Sequence, residues 1–350
     1  MASSSTRPQR LRNARMVQNF HLVWLDGRID EINNDDFRNS ITKLRQVVNT
    51  VNTFTDVDEC IDFINRNKEE KAFMISSGAI GETIVPMVHD KPQVSTIYIF
   101  CENKARYEKW TKEWPKIKGV YTDITSICES LKQAAQECDR NSVSLSFVKT
   151  TDGASNQNLD QLDSSFMYTQ ILKEILLTIN FEQQHINEFL TYCREQFVGN
   201  DAELKNVDKI EKDYRHHQPI WWYTSDCFLY SMVNRALRLM EVDLIIKMGF
   251  FVRDLHNHIV ALHYEQYGEQ KHSDSFTVYR GQGLSQTDFD QLKNTQGGLM
   301  SFNNFLSTSL DQAVSRAFAE TNKDNPGLIG VLFQITINPS ISSSPFANVE

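Results

Sequence analysis

Two short stretches bring chemically capable residues close together in the chain. The first is VYRGQGLS at residues 278–285, with Arg280 between an apolar pair and the glycines Gly281 and Gly283. The second is FLSTSLD at 305–311, with Ser307, Thr308 and Ser309 in a row. An arginine offers a planar fork of donors that matches a diphosphate, whereas a lysine is a point charge. A glycine next to it lets a ligand approach the backbone closely. In SFTVYRGQG (275–283), alternation puts Phe276, Val278 and Arg280 on one side of a strand, so Arg280 emerges at the strand end. On these residues alone an ordinary α+β domain with a well-placed arginine stays open beside a diphosphate site.

The elements that must hold these residues follow from periodicity and caps. SQTDFDQLKNTQ (285–296) reads as a helix, with Ser285 as its N-cap and Asp288 at capping-box spacing. GGLMSFNNFLSTS (297–309) reads as strands about a turn at Asn303-Asn304. LDQAVSRAFAE (310–320) is a helix, and GLIGVLFQITIN (327–338) is a long buried strand. Upstream, residues 166–179, 181–197, 204–215 and 219–266 carry helical patterns, with Pro219 at a helix start. His256 and His263 are spaced to share a helix face, yet no carboxylate or cysteine completes a ligand set with them and His258, so no metal site is expected. Trp221-Trp222-Tyr223, near Phe228 and Tyr230, reads as core rather than as a base-stacking platform.

The first half has a different rhythm. FHLVWLD (20–26), VNTFTD (51–56), KAFMISSG (71–78), STIYIFC (95–101) and GVYTDI (119–124) are strands separated by helical patterns such as DDFRNSITKLRQVV (35–48) and ITSICESLKQAAQECDR (124–140). Asp56 or Asp58 caps the helix after the second strand. VSLSFV (143–148) is expected as an additional edge strand. The order predicts a doubly wound parallel sheet with right-handed crossovers, a flavodoxin-like or receiver-like α/β domain over 17–148. Ligands in such folds bind at the carboxyl ends of strands, where Asp26 stands. A bacterial receiver carries its phosphorylated Asp at the end of the third strand. This chain has Ser76-Ser77-Gly78 there, and YTD where that family has a lysine. A sensing or docking module is therefore expected rather than a phosphorelay.

Composition sets the limits. A chain of 350 residues with a net charge of -9 and 40% hydrophobic residues is long enough for two cores and ill suited to non-specific binding of nucleic acid or an anionic membrane. No apolar run long enough to span a bilayer is present. The six scattered cysteines, without a CxxC and without a secretory leader, are expected as reduced thiols in the cytosol. Arg7, Arg10, Arg12 and Arg15 lie among Ser and Gln. Without an apolar stripe, the segment 1–16 is expected as a disordered tail rather than a targeting presequence. The polar KTTDGASNQNLDQLDSS (149–165) is expected as a linker.

Taken in sequence, YRG, a short helix, LMSFNNFLSTS, AxxxAF and an apolar strand form a specific pattern. It resembles the arginine-specific mono-ADP-ribosyltransferases, with their Arg…Ser-Thr-Ser…Glu-x-Glu signature. IWWYTSDCFLYSMVNRALR and GFFVRDLHNHI also resemble that family's helical subdomain. The resemblance covers about residues 160–350 and implies an α+β ADP-ribosyltransferase fold over 166–350, with a helical subdomain at 166–270 and an NAD-binding core at 275–350. It implies NAD(P) as co-substrate, an arginine-bearing protein acceptor, and no metal. Arg280 would hold the NAD diphosphate and Gly281 the nicotinamide amide. Ser307 would brace the site and orient a catalytic glutamate, and Phe318 would lie against the nicotinamide. Arginine in YRG separates this branch from the poly(ADP-ribose) polymerases, which carry histidine there.

One feature of the family is missing. Its Glu-x-Glu follows the apolar strand, whereas here PSISSSPFANVE ends on Glu350 with Asn348 two places earlier. The sequence is therefore expected to be a fragment cut shortly before that motif. An NAD-binding or interaction module without transferase activity, or an NAD glycohydrolase, remains the alternative.

Overall fold

A computed structural model describes residues 20–30, 34–68, 70–141, 145–148, 164–268, 274–322, 327–342 and 344–349. The basic segment 1–16, the linker through residue 163, and Glu350 lie outside the described residues. Two compact units emerge. One comprises 1–140, 194–205 and 324–327, and the other 141–193, 206–323 and 328–350.

In the first unit, five strands form one parallel sheet: β1 (Phe20–Leu25), β2 (Val51–Phe54), β3 (Lys71–Ser77), β4 (Val94–Phe100) and β5 (Ile117–Tyr121), in the order β2-β1-β3-β4-β5. This is the doubly wound, flavodoxin-like arrangement. Both faces are covered, which explains why the central strands β1, β3 and β4 read as continuous apolar runs. Phe20, Leu22 and Trp24 of β1 pack with Phe37, Ile41 and Leu44 of α1 (Asp35–Arg45) and with Ile124, Ile127 and Leu131 of α5 (Ile124–Asn141). Val23 and Leu25, pointing the other way, meet α2 (Val57–Arg66), α3 (Gly78–Val88) and α4 (Lys104–Thr111) through Cys60, Ile64, Ile84, Val88 and Tyr107. Asp56 caps α2 by accepting from the Glu59 N–H at 2.9 Å. Burial in this core pushes the Cys60 thiol up to about 12, so it is a packed thiol and not a nucleophile. None of the six cysteines is in a disulfide.

The second unit holds a run of helices and two short antiparallel sheets. The helices are α6 (Ser164–Thr178), α7 (Gln183–Gln196), α8 (Asp201–Asp213), α9 (Pro219–Thr224), α10 (Phe228–Leu239), α11 (Val242–Lys247) and α12 (Gly249–Tyr267), with α7 and α8 each shared in part with the first unit's residues. One sheet pairs β7 (Phe276–Ser285) with β9 (Leu328–Ile337), and α13 (Gln286–Asn294) and α14 (Gln312–Glu320) lie between them in sequence. The other pairs β6 (Leu145–Val148) with β8 (Leu299–Phe302).

That second pairing corrects an expectation. The strand at 145–148 does not extend the parallel sheet. Ser146 lies opposite Ser301 in an antiparallel ladder, so the boundary between the units falls at residue 140 rather than 148. A four-residue alternating strand satisfies either sheet equally well locally, and only its long-range partner decides. The linker's last two residues are likewise already the first of α6. Among the described residues, no helix is long and apolar enough to cross a membrane.

Candidate functional site

Arg280 sits in the middle of β7, opposite Phe333 of β9, and not at the strand end as expected, because the pairing with β9 runs on through Gly281 and Gly283 to Ser285. Val278, Arg280 and Gln282 fall on the buried side of the strand. The guanidinium is held at several points. Its Nε donates to Gln282 Oε1 at 2.8 Å, Nη1 donates to the Ser307 carbonyl at 2.9 Å, and Tyr230 is hydrogen-bonded to it. Burial to 9% exposure lowers its pKa, and the electron-rich Tyr230 and Tyr223 act against that. A guanidinium remains charged under such a shift, so the strand presents a fixed cation.

Buried hydrogen bonds hold the loop that carries Ser307. The Tyr223 hydroxyl donates to the Phe305 carbonyl at 2.9 Å and accepts from Asn234 Nδ2 at 3.2 Å. Asn304 Nδ2 reaches Asn234 Oδ1 at 3.1 Å. Tyr223 and Trp222 are buried, which bears out their reading as core, while Trp221 is partly exposed and stacks on His217 at 4.0 Å. Ser309 closes the loop onto β7: the Tyr279 N–H donates to the Ser309 carbonyl at 2.8 Å, and the Tyr279 carbonyl accepts from the Ser309 N–H at 2.9 Å. The Ser309 hydroxyl accepts from the Asp311 N–H at 3.0 Å, and Asp311 caps α14. The side chains of Ser307 and Thr308 are exposed.

The strand register leaves one backbone position open. In an antiparallel pair, successive residues turn their N–H and C=O alternately toward the partner and away from it. Tyr279 spends both groups on Ser309, away from β9, and the Gly283 N–H points the same way to Asn141 Oδ1 at 2.8 Å. The unbroken register then turns both backbone groups of Gly281 to that same edge, between two occupied neighbours. Neither group meets a partner among the described residues. This is an adjacent donor and acceptor, one residue from the buried arginine.

The two glycines of the motif have tighter duties than ligand access. A Cβ at 281 would overlap the Ser315 carbonyl of α14, and one at Gly330 of β9 would overlap the Ala319 carbonyl. Glycine at both positions lets α14 lie directly on the two strands. At Gly283 a Cβ would stand 2.6 Å from Asn322 Oδ1, so this glycine admits a side chain of the protein and not a ligand.

Of the residues singled out from sequence, Arg280, Gly281 and Ser307 come together, with Ser307 contributing its carbonyl to the contact. Phe318 lies on α14 and is 39% exposed, on the flank it shares with Val314 and away from the buried Ser315 and Ala319. Gln282, Tyr230, Tyr223 and Asn234 were not singled out as site residues. Gln282 had a usable signal, since it is two residues from Arg280 on the same strand face. The histidines disperse. His263 Nδ1 sits 2.9 Å from the Phe346 carbonyl, and His256 lines a cavity of about 170 Å³ with Leu176, Leu237, Asn304 and Phe305. Among the described residues, no cluster of metal-ligating side chains forms.

At the carboxyl edge of the parallel sheet, Asp26 Oδ1 accepts from the Arg28 N–H at 2.9 Å. Ser76 and Ser77 end β3 as buried hydroxyls, and α3 begins at Gly78. No family model, curated protein or solved structure matches the chain.

Proposed function

We propose that the second unit binds NAD(P), and that the chain is a member of the arginine-specific mono-ADP-ribosyltransferases, moving ADP-ribose from NAD to an arginine of a protein acceptor and releasing nicotinamide. The observation that carries this reading is the open backbone edge of Gly281 next to buried Arg280. A primary carboxamide, such as that of nicotinamide, has one N–H to give to the Gly281 carbonyl and one carbonyl to receive the Gly281 N–H. The guanidinium beside it is already oriented by Gln282 and Ser307, so meeting a diphosphate costs little further ordering.

The bond broken joins nicotinamide to the ribose, through a transition state with oxocarbenium character. A carboxylate near the ribose stabilises that charge. A second carboxylate is needed to help an acceptor guanidinium attack, because it is protonated at neutral pH. Arg280, Gly281 and Ser307 serve binding and orientation, and most of the acceleration must come from those carboxylates.

The alternatives are an NAD glycohydrolase and an NAD-binding module without transferase activity. Full-length protein incubated with NAD, with and without agmatine, separates the readings when nicotinamide release and NAD binding are both measured. Modified agmatine supports the transferase. Nicotinamide release without modified agmatine supports a glycohydrolase, and binding without release supports the module. No binding of NAD or NADP removes all three.

A further inference from the structure

We propose that Asn141 and Ser146 brace the candidate NAD site as positioning residues. The proposal rests on the reading of the Arg280 strand as an NAD site, and it assigns the site's support to a segment far from it in sequence.

Asn141 does two jobs with one amide. Its Oδ1 accepts the Gly283 N–H at 2.8 Å, and its Nδ2 donates to Asn322 Oδ1 at 2.7 Å. Asn322 is 4% exposed and passes the tie on, donating from Nδ2 to the Phe318 carbonyl at 2.8 Å. Asn141 thus pins β7 three residues beyond Arg280 and, through Asn322, the end of α14, whose carbonyls press on Gly281 and Gly330. The edge of β7 that carries the open Gly281 position is fixed at one end by Ser309 and at the other by Asn141.

Ser146 does the same for the other strand. Its Oγ accepts from Asn303 Nδ2 at 2.8 Å, and both side chains are buried. Asn303 directly precedes the Asn304–Ser309 loop that holds the guanidinium. Both partners of the Arg280–Ser307 contact are therefore tied to one short segment that precedes them by more than a hundred residues. All of these bonds lie within the second unit.

The test uses the full-length chain and three variants. Asn141→Leu removes both bonds, Asn141→Asp keeps an acceptor for Gly283, and Ser146→Ala removes the tie to Asn303. Two readouts are taken well below the melting midpoint: exchange of the Tyr279 and Gly283 amide hydrogens, both hydrogen-bonded on that edge of β7, without ligand, and the Kd for NAD. The brace predicts faster exchange at both residues in Asn141→Leu, and a Kd about tenfold weaker, on the scale of one net hydrogen bond. Asn141→Asp is expected to restore most of both. Ile64→Val, in the core of the first unit, controls for stability loss alone and is expected to leave Kd unchanged. If Asn141→Leu fails to fold, Ser146→Ala decides, by weaker NAD binding at unchanged secondary structure. Parent-like exchange and affinity in the folded variants overturn the brace. A parent that binds no NAD overturns the NAD reading, and the exchange at Tyr279 then decides the brace by itself.

Discussion

Arg280 reaches Ser307 across 27 residues of chain and takes hold of its backbone carbonyl at 2.9 Å, not its hydroxyl. The tie is therefore independent of the side chain at 307, which is exposed. Ser307→Ala is expected to leave the melting midpoint and the NAD affinity close to those of the parent. Any catalytic turnover is expected to drop, since the variant loses the hydroxyl that would orient the reacting groups. Calorimetry and nicotinamide release measured on the same preparation check this. A variant that loses NAD binding in proportion to turnover would show that the hydroxyl binds and does not orient.

Arg280→Lys keeps the charge and loses the fork. Lysine cannot serve Gln282 and the Ser307 carbonyl through separate nitrogens of one rigid plane. The expected loss of NAD affinity is about 1–3 kcal/mol, on the order of a hydrogen bond to a charged group. Titration calorimetry reads it directly, and an unchanged Kd would remove Arg280 from the site.

Gly281→Ala tests the contact between α14 and β7. The added methyl meets the Ser315 carbonyl, which is backbone in a helix and cannot rotate away. Overpacking of this kind costs roughly 1–3 kcal/mol, so a clear fall in the melting midpoint is expected, together with weaker NAD binding. Gly27→Ala is the contrast, because its Cβ meets only Ile80 Cδ1 at 3.5 Å, ordinary contact distance. Equal melting midpoints for the two variants would mean that α14 does not lie on the strand as described.

Much of this architecture was legible in the sequence, for reasons that differ by element. The central strands β1, β3 and β4 read clearly because burial on both faces makes each an apolar run, as in Leu22–Leu25 and Phe73–Ile75. Local caps were equally legible: Ser285 accepts the Asp288 N–H at 3.1 Å and donates to its carboxylate at 2.7 Å. Arg280 stood out because charge, glycine and strand pattern coincide within a few residues. What could not be read was long-range. Nothing near Ser146 says that its strand pairs with residues 299–302, and nothing near Gly283 announces Asn322. Tyr223 looked like core and is buried, while Tyr230 is only half-buried, and both meet the guanidinium.

The first unit is expected to be silent as a phosphoacceptor. The end of β3 offers the buried hydroxyls of Ser76 and Ser77 where a carboxylate would be needed, and Asp26 is engaged with the Arg28 backbone. Acetyl phosphate or beryllofluoride added to the full chain is expected to leave the NMR shifts of residues at the carboxyl edge of the sheet unchanged. A saturable change at Asp26 would reverse this assignment.

Acid sensitivity is expected to have a component from His256. Burial beside the cavity lowers its pKa from the ordinary 6.5, Lys173 pushes in the same direction, and Glu174 opposes them. His258 is shifted the same way by burial. For a histidine lowered in the folded state, the unfolded chain takes up its proton first as the pH falls. The unfolded state then binds more protons, and stability drops from about pH 6.5 downward until the folded imidazole also titrates. Above that range the group contributes its full stabilisation. Thermal melts at roughly pH 7.5 and 5.5 bracket the window of histidine titration, and the parent is expected to lose more of its midpoint than His256→Gln across it. Asn304 and Phe305 line the same cavity and lead into the Ser307 loop, so NAD affinity measured at both pH values asks a second question of the same variant. Equal acid losses in parent and variant would mean that the His256 ring is hydrated in the folded protein and its proton is taken up freely.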